Sequence, residues 1–144
     1  PIASYDCYPD GGFDYAATDQ ASRYKVDAHF TSGVGNHFFY LLSEGAKVPA
    51  SHRKLLNKSD LVCNGNTALT PITNKTAGQI WYRALRLYMT EQTDYPQARE
   101  ATEQAAADLL ARGLLSKRQA TAVACAWDAV KVPLPPNSKA AQCQ

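Results

Sequence analysis

Residues 27–42 read DAHFTSGVGNHFFYLL and carry the clearest helix signal of the chain. Apolar residues recur in this stretch at the spacing of one helical face, namely Val34, Phe38, Leu41 and Leu42. Thr31 or Ser32 is expected to cap the helix, and Gly45 is expected to end it. The stretch therefore predicts a buried helix with a polar approach.

Two titratable residues, Asp27 and His29, stand immediately before this apolar run. A carboxylate that accepts a hydrogen bond from one imidazole nitrogen fixes the tautomer of the ring and favours its protonated form. The pair is therefore a candidate acid/base unit. The same two residues also fit a capped helix with a polar loop in front of it.

Three more helices are predicted downstream. The first should run from near Thr73 through Met89 and the second from Thr93-Asp94 to about Arg112, where Gly113 stops it. The first of these helices should turn one face towards the core, made of Ile80, Ala84, Leu87 and Tyr88, and Arg83 and Arg86 towards solvent. The second should have a face of small residues, made of Ala98, Ala101, Ala105 and Leu109.

The last helix should start at Ser116, which forms a capping-box pattern with Gln119. Its apolar stripe consists of Ala120, Val123, Ala124, Trp127 and Val130. No segment alternates with period two, so the predicted fold class is all-α. We expect one domain, 1–144, with a long irregular N-terminal arm (1–30), a helical core of about four main helices (31–132) and a Pro-rich tail (133–144).

Composition narrows the functional classes. The chain has 144 residues, and 15 basic against 13 acidic residues leave a net charge of +2 without a basic cluster, which disfavours nucleic acid as a partner. No apolar run approaches the roughly 20 residues of a membrane span. The start at Pro1, without Met or a signal sequence, suggests a piece of a longer protein.

Four cysteines without a CxxC motif favour two disulfides in an exported protein over a structural zinc site. Three pairings are possible. We prefer Cys7 with Cys63 and Cys125 with Cys143, because the second pair would tie the Pro-rich tail to the last helix.

Standard catalytic motifs are absent: the sequence has no HExxH, no GxSxG and no P-loop. His37 is expected on the helix surface and His52 in a solvated basic loop. Ser32 and Asn36 are expected at a helix start, with side chains bonded to backbone. The large aromatic side chains, Trp81, Tyr82, Tyr88 and Trp127, are expected to pack in the core or against another domain.

The stretch DAHFTSGVGNHFFYLLSEGA nevertheless resembles a segment of the thermolysin-like secreted zinc metallopeptidases, which that family writes as D-V-H-x-x-S-G-x-x-N-x-x-F-Y-L-L. The match continues in order through three further segments, ITNKTAGQIWYRALRLYMT, TDYPQAREATEQAAADL and SKRQATAVACAWDAVKV. It covers about residues 23–132 and is most similar to actinobacterial members of the bacillolysin type.

The resemblance implies that the chain is the helical C-terminal domain of a two-domain, secreted, extracellular endopeptidase. In the family, the N-terminal domain supplies the zinc ligands and this domain closes the far wall of the cleft. His29 would stabilise the oxyanion of a polypeptide substrate, and Asp27 would orient His29. The surface around residues 24–36 should then be apolar, ready to dock the zinc domain.

Several departures accompany the resemblance. The zinc ligands, the general-base Glu and the cleft arginine of the family have no counterpart in this sequence, and Arg23 is not at the arginine's position. The chain alone is therefore expected to bind no catalytic zinc and to be inactive. Calcium is compatible with the family, without recognisable ligands in this sequence. The alternative hypothesis is an inert helical interaction or inhibitory module that kept the fold.

Overall fold

A computed structural model describes residues 4–140 and 143. The helices are α1 (Gln20–Lys25), α2 (Ala28–Glu44), α3 (Asn74–Leu87), α4 (Tyr95–Ala111) and α5 (Lys117–Ala129), with two short 3₁₀ turns at Ala50–His52 and Lys58–Leu61. No strand occurs in these residues, and the all-α prediction is confirmed. No helix among them is long and apolar enough to cross a membrane.

Four of the helices form a ring around one core. α2 packs against α3 and α5, and α4 packs against the same two helices. The core is centred on Trp127 of α5, which is fully buried and stacks on Phe38 of α2 with ring centroids 3.6 Å apart. The indole N–H of Trp127 donates to the hydroxyl of Thr102 at 2.8 Å, so its polar atom is also satisfied.

Local capping explains where the last two helices begin. Asp94 and Gln97 form a reciprocal capping box at the start of α4, and Ser116 and Gln119 do the same for α5. The predicted small-residue face of α4 is buried, and so is most of the apolar stripe of α5. Both helices therefore follow the sequence prediction closely.

The predicted start of α2 is wrong. The helix begins at Ala28, because Asp27 and not Thr31 or Ser32 is its N-cap residue. Ser32 and Asn36 consequently lie within the helix, where both are exposed, and their predicted side-chain bonds to backbone do not form with any residue that the structure describes. Thr31 is buried instead.

The arm is less irregular than predicted, since it contains α1. The side chain of Asp19 accepts from the backbone N–H of Ser22 at 2.9 Å and starts this short helix. Hydrogen bonds and a disulfide tie the arm to the bundle: the N–H of Tyr8 donates to the carbonyl of Val130 at 2.9 Å, and Cys7 is bonded to Cys63.

Both preferred disulfides are present, Cys7–Cys63 and Cys125–Cys143.

His37 is not the surface residue that the helical pattern predicted. Its ring nitrogens lie 2.7 Å from the carbonyl of Asp6 and 2.8 Å from that of Leu61. The ring therefore lies between the arm and the 3₁₀ turn Lys58–Leu61.

The predicted orientation of α3 holds for part of its core face but fails near its C-terminal end. Ile80 and Ala84 are buried, but Leu87 is 55% exposed. Arg83, expected in solvent, binds Asp108 of α4 at 3.0 Å. The hydroxyl of Tyr88 donates to the same carboxylate. The surroundings of the C-terminal end of α3 are therefore determined by Asp108 on the neighbouring helix α4.

Candidate catalytic site

The candidate site lies at the N-terminal end of α2 and is organised by Asp27. One side-chain oxygen of Asp27 accepts the backbone N–H of His29 at 2.8 Å. The carbonyl of Asp27 accepts the N–H groups of Phe30 and Thr31 at 2.9 and 3.0 Å. Because an N-cap residue satisfies N–H groups that have no partner within the helix, Asp27 is fixed relative to the first turn.

The same carboxylate oxygen also holds the ring of His29, with 2.6 Å between Nδ1 and Oδ1. Hydrogen bonds from the backbone N–H and then from the ring of His29 lower the pKa of Asp27. An ionised carboxylate only accepts hydrogen bonds, so Nδ1 must carry the proton of this bond.

The rest of the His29 ring faces solvent. Its side chain is 91% exposed, and Nε2 has no hydrogen-bond partner among the residues that the structure describes. Nε2 is a proton acceptor when the ring is neutral and a cationic donor when the ring is protonated. The arrangement can therefore serve as a base or stabilise an anion.

A groove begins one turn beyond His29 on the exposed side of α2. It has a volume of about 460 Å³ and runs between α2, α3 and α4. Ser32 and Asn36 line it with side chains that bind no other side chain or backbone group in the described part of the chain. Apolar and aromatic side chains line its other walls, including Tyr15, Phe39, Trp81, Leu85 and Met89. Such a mostly apolar concave surface with a few polar groups is typical of a binding site.

The structure does not bring the histidines together. His29 is at the start of α2, His37 joins the arm to a loop, and His52 is exposed beside Ser51. Within residues 4–140 and 143, no three His, Cys, Asp or Glu side chains could hold a metal ion. The described part of the chain thus does not fit a zinc ion.

Residues 24–36 contribute Ser32, Gly35 and Asn36 to the apolar groove, so the apolar docking surface predicted there lies beside the start of α2 rather than on it. Apart from Tyr24, whose side chain lies outside the described atoms, this segment exposes no large apolar side chain. Among the residues whose side chains are described, the exposed large apolar ones are Tyr15, Leu55, Tyr82, Leu85, Leu87, Tyr88 and Leu114, four of them in or directly after α3. α3, rather than the start of α2, carries the apolar surface.

Sequence reasoning missed one contact at the site. The hydroxyl of Tyr95, the first residue of α4, reaches the backbone of α2 at Thr31 and Gly35. A signal existed, because glycines at 33 and 35 cost helix stability and within a helical pattern often indicate close packing. The partner could not be identified from that signal.

Comparisons with known proteins agree with this architecture. A family model described as "Thermolysin metallopeptidase, alpha-helical domain" matches residues 4–132. The "Transglutaminase-activating metalloprotease" of Streptomyces mobaraensis is 34% identical over 110 residues, which are 74% of this chain and 13% of that protein. The "Extracellular elastase" of Staphylococcus epidermidis is 39% identical over 122 residues, 85% of this chain and 21% of that protein.

The chain therefore spans about a fifth or less of the length of these relatives. The family model, in contrast, covers nearly the whole described chain, and its description names the all-helical architecture that the structure has. On these two grounds the chain belongs to the α-helical domain family of the thermolysin metallopeptidases.

Proposed function

We propose that the chain forms one wall of the catalytic cleft of a secreted zinc endopeptidase, in which His29 stabilises the oxyanion and Asp27 orients His29. One observation carries the proposal: Asp27 holds Nδ1 of His29 at 2.6 Å while the side chain is 91% exposed. A ring fixed at one nitrogen and open at the other suits a reacting group that arrives from outside the chain.

The chemistry follows from the charge that peptide hydrolysis creates. When water adds to the carbonyl carbon, the carbonyl oxygen becomes an oxyanion, and protonated His29 would donate its Nε2–H to it. The carboxylate of Asp27 fixes the direction of the ring before the reaction, through the bond to Nδ1. The positive end of the α2 dipole attracts the same negative charge.

The zinc site would belong to the N-terminal domain of the same protease, outside this chain. That domain would be the principal partner, and a polypeptide would be the substrate. Secretion is supported by the two disulfides, which persist in oxidising compartments, and by the similarity to the staphylococcal "Extracellular elastase".

The test is made in the full-length protein that contains this chain. We expect His29→Ala to lower kcat/KM for a peptide substrate by about two to three decades, the usual effect of losing one oxyanion donor. His52→Ala is the matched control, because His52 is an exposed histidine outside the site. An unchanged rate for His29→Ala would remove His29 from the mechanism.

Asp27→Asn separates orientation from capping. Asparagine is as good an N-cap residue as aspartate, so α2 should keep its start, whereas the negative charge beside the ring is lost. We expect a lower kcat with only a small fall in the melting temperature, because the lost charge is partly exposed and contributes little to stability. A full-length protein without peptidase activity, or without an HExxH motif upstream, would favour the inert module instead.

A further inference from the structure

Asp27 and His29, the proposed dyad, stand at the first turn of α2, and a residue from another helix contacts that turn. The hydroxyl of Tyr95 donates to the carbonyl of Thr31 at 2.7 Å and accepts the N–H of Gly35 at 3.0 Å. These two backbone groups are four residues apart, which is the spacing of a donor and an acceptor that an α-helix pairs in one rung of its hydrogen-bond ladder. A side chain from α4 thus binds both ends of a rung in α2.

The contact depends on close approach between the two helices. Gly35 allows it, because a Cβ at this position would lie 3.1 Å from the hydroxyl oxygen of Tyr95 and 3.4 Å from Cε1. The ring of Tyr95 is held edge-on by Trp127 and Tyr8, with centroids 6.2 and 6.0 Å away. Asp94 caps the helix directly before Tyr95. The hydroxyl therefore has little freedom to move.

The hydroxyl can make both bonds because it stays protonated. Burial raises the pKa of Tyr95, although the N–H of Gly35 lowers it. A neutral phenol donates one hydrogen bond and accepts another, whereas a phenolate only accepts. Near neutral pH, Tyr95 accordingly satisfies the carbonyl of Thr31 and the N–H of Gly35 together.

Thr31 connects this contact to the dyad. Its carbonyl accepts from Tyr95, and its N–H donates to the carbonyl of Asp27 at 3.0 Å. Thr31 is also buried, so it is held by packing. Any movement of Thr31 would therefore shift Asp27 and, with it, the ring of His29.

We propose that Tyr95 is a positioning residue that fixes the first turn of α2, and through it Asp27 and His29, relative to α4. The inference rests on the proposed function of His29. Tyr95 itself does not touch a substrate in this mechanism. Its effect should consequently appear only when His29 is present.

Tyr95→Phe in the full-length protease tests this, because it removes only the hydroxyl group. We expect kcat to fall about tenfold while KM changes less than about twofold, since a small displacement of a catalytic group weakens the transition state more than the ground state. In the His29→Ala background, the same substitution should change the residual rate less than about twofold. Tyr88→Phe is the control, since its hydroxyl binds Asp108 away from α2.

Two further measurements test the inference without the kinetics of Tyr95→Phe. Hydrogen exchange followed by mass spectrometry should show faster exchange in peptides containing the amide of Gly35 in Tyr95→Phe than in the wild type. Gly35→Ala keeps the hydroxyl but displaces it, so kcat should fall again even though alanine is the better helix former.

The outcomes distinguish the two proposals. If His29→Ala retains the wild-type rate, the proposed function fails and this inference fails with it. If His29→Ala is impaired but Tyr95→Phe is not, the inference alone is overturned. It is also overturned if Tyr95→Phe lowers the rate equally with and without His29, because that result indicates a general structural role.

Discussion

The buried carboxyl group of Glu103 should make the stability of the protein depend on pH. Its side chain is only 8% exposed, and Oε1 accepts from Nε of buried Arg99 at 2.9 Å. Arg99 also binds Asp128 at 2.5 Å, so one cation is shared by two carboxyl groups. Burial raises the pKa of Glu103 to about 7, with Asp128 and Glu100 adding to the rise and Arg99 opposing it.

The direction of this pH dependence follows from comparing the proton affinity of Glu103 in the folded and unfolded states. The folded protein holds the proton of Glu103 more tightly than the unfolded chain, whose ordinary pKa is 4.5. The resulting stabilisation is complete below pH 4.5 and is lost as the pH rises through 7. Since a tenfold change in proton affinity corresponds to about 1.4 kcal/mol, the loss is on the order of 3 kcal/mol.

Glu103→Gln isolates this effect, because glutamine keeps an acceptor for Arg99 but does not ionise. We expect the unfolding free energy of Glu103→Gln relative to the wild type to rise by about 3 kcal/mol between pH 4.5 and 8. The assay is urea unfolding followed by tryptophan fluorescence, since Trp127 stacks on Phe38 only in the folded protein.

Other carboxyl groups act in a different pH window. The pKa values of Asp27 and Asp108 are lowered from the ordinary value of 3.8 by hydrogen bonds, first from the backbone N–H of His29 and from the hydroxyl of Tyr88, respectively. Their stabilisation is present above pH 3.8 and is lost only below it.

The refuting result for Glu103 is a pH-independent difference. If the unfolding free energies of Glu103→Gln and the wild type differ by an amount that stays constant within about 0.5 kcal/mol from pH 4.5 to 8, the reasoning is wrong.

Two further predictions concern the attachment of the chain ends. Gly33→Ala should destabilise the protein by about 1–3 kcal/mol in urea unfolding, because its Cβ would lie 2.0 Å from the hydroxyl of Ser4 in the arm. Gly78→Ala in α3 should instead stabilise the protein by about 1 kcal/mol, because its Cβ would meet no described atom within 4 Å apart from its chain neighbours and the nearby helix backbone. Equal effects of the two substitutions would contradict the clash at Gly33. Replacing Cys125 and Cys143 by Ser should cost about 3 kcal/mol, from the chain entropy of a loop closed across 18 residues. An unchanged urea midpoint would show that this bond does not restrict the unfolded chain.

Much of the helical framework was predictable from sequence because helix ends depend on near neighbours. The capping boxes of Asp94 with Gln97 and of Ser116 with Gln119 join residues three apart, and both form as predicted. The same local rule, applied one turn too late, misplaced the start of α2. Asp27 is an N-cap residue as good as Thr31 and precedes it, so it caps first.

The candidate dyad was also readable from sequence, since Asp27 and His29 are only two residues apart and meet within one turn. Exposure was not readable. Leu87 fits an apolar stripe and is nevertheless exposed, while Arg83, which was expected in solvent, binds Asp108, 25 residues away. Such placements depend on which helix lies opposite, and the periodicity of one helix does not contain that information.

By itself, then, the sequence determined an all-helical chain, the order of its main helices and a histidine held by a carboxylate at one helix end, all set by interactions within a few residues. Tertiary structure alone decided what surrounds that end. The hydroxyl of Tyr95 meets Gly35 across 60 residues of chain, and the ring of His37 meets the carbonyl of Asp6 across 31. These contacts exist only because the burial of one shared core brings distant segments together.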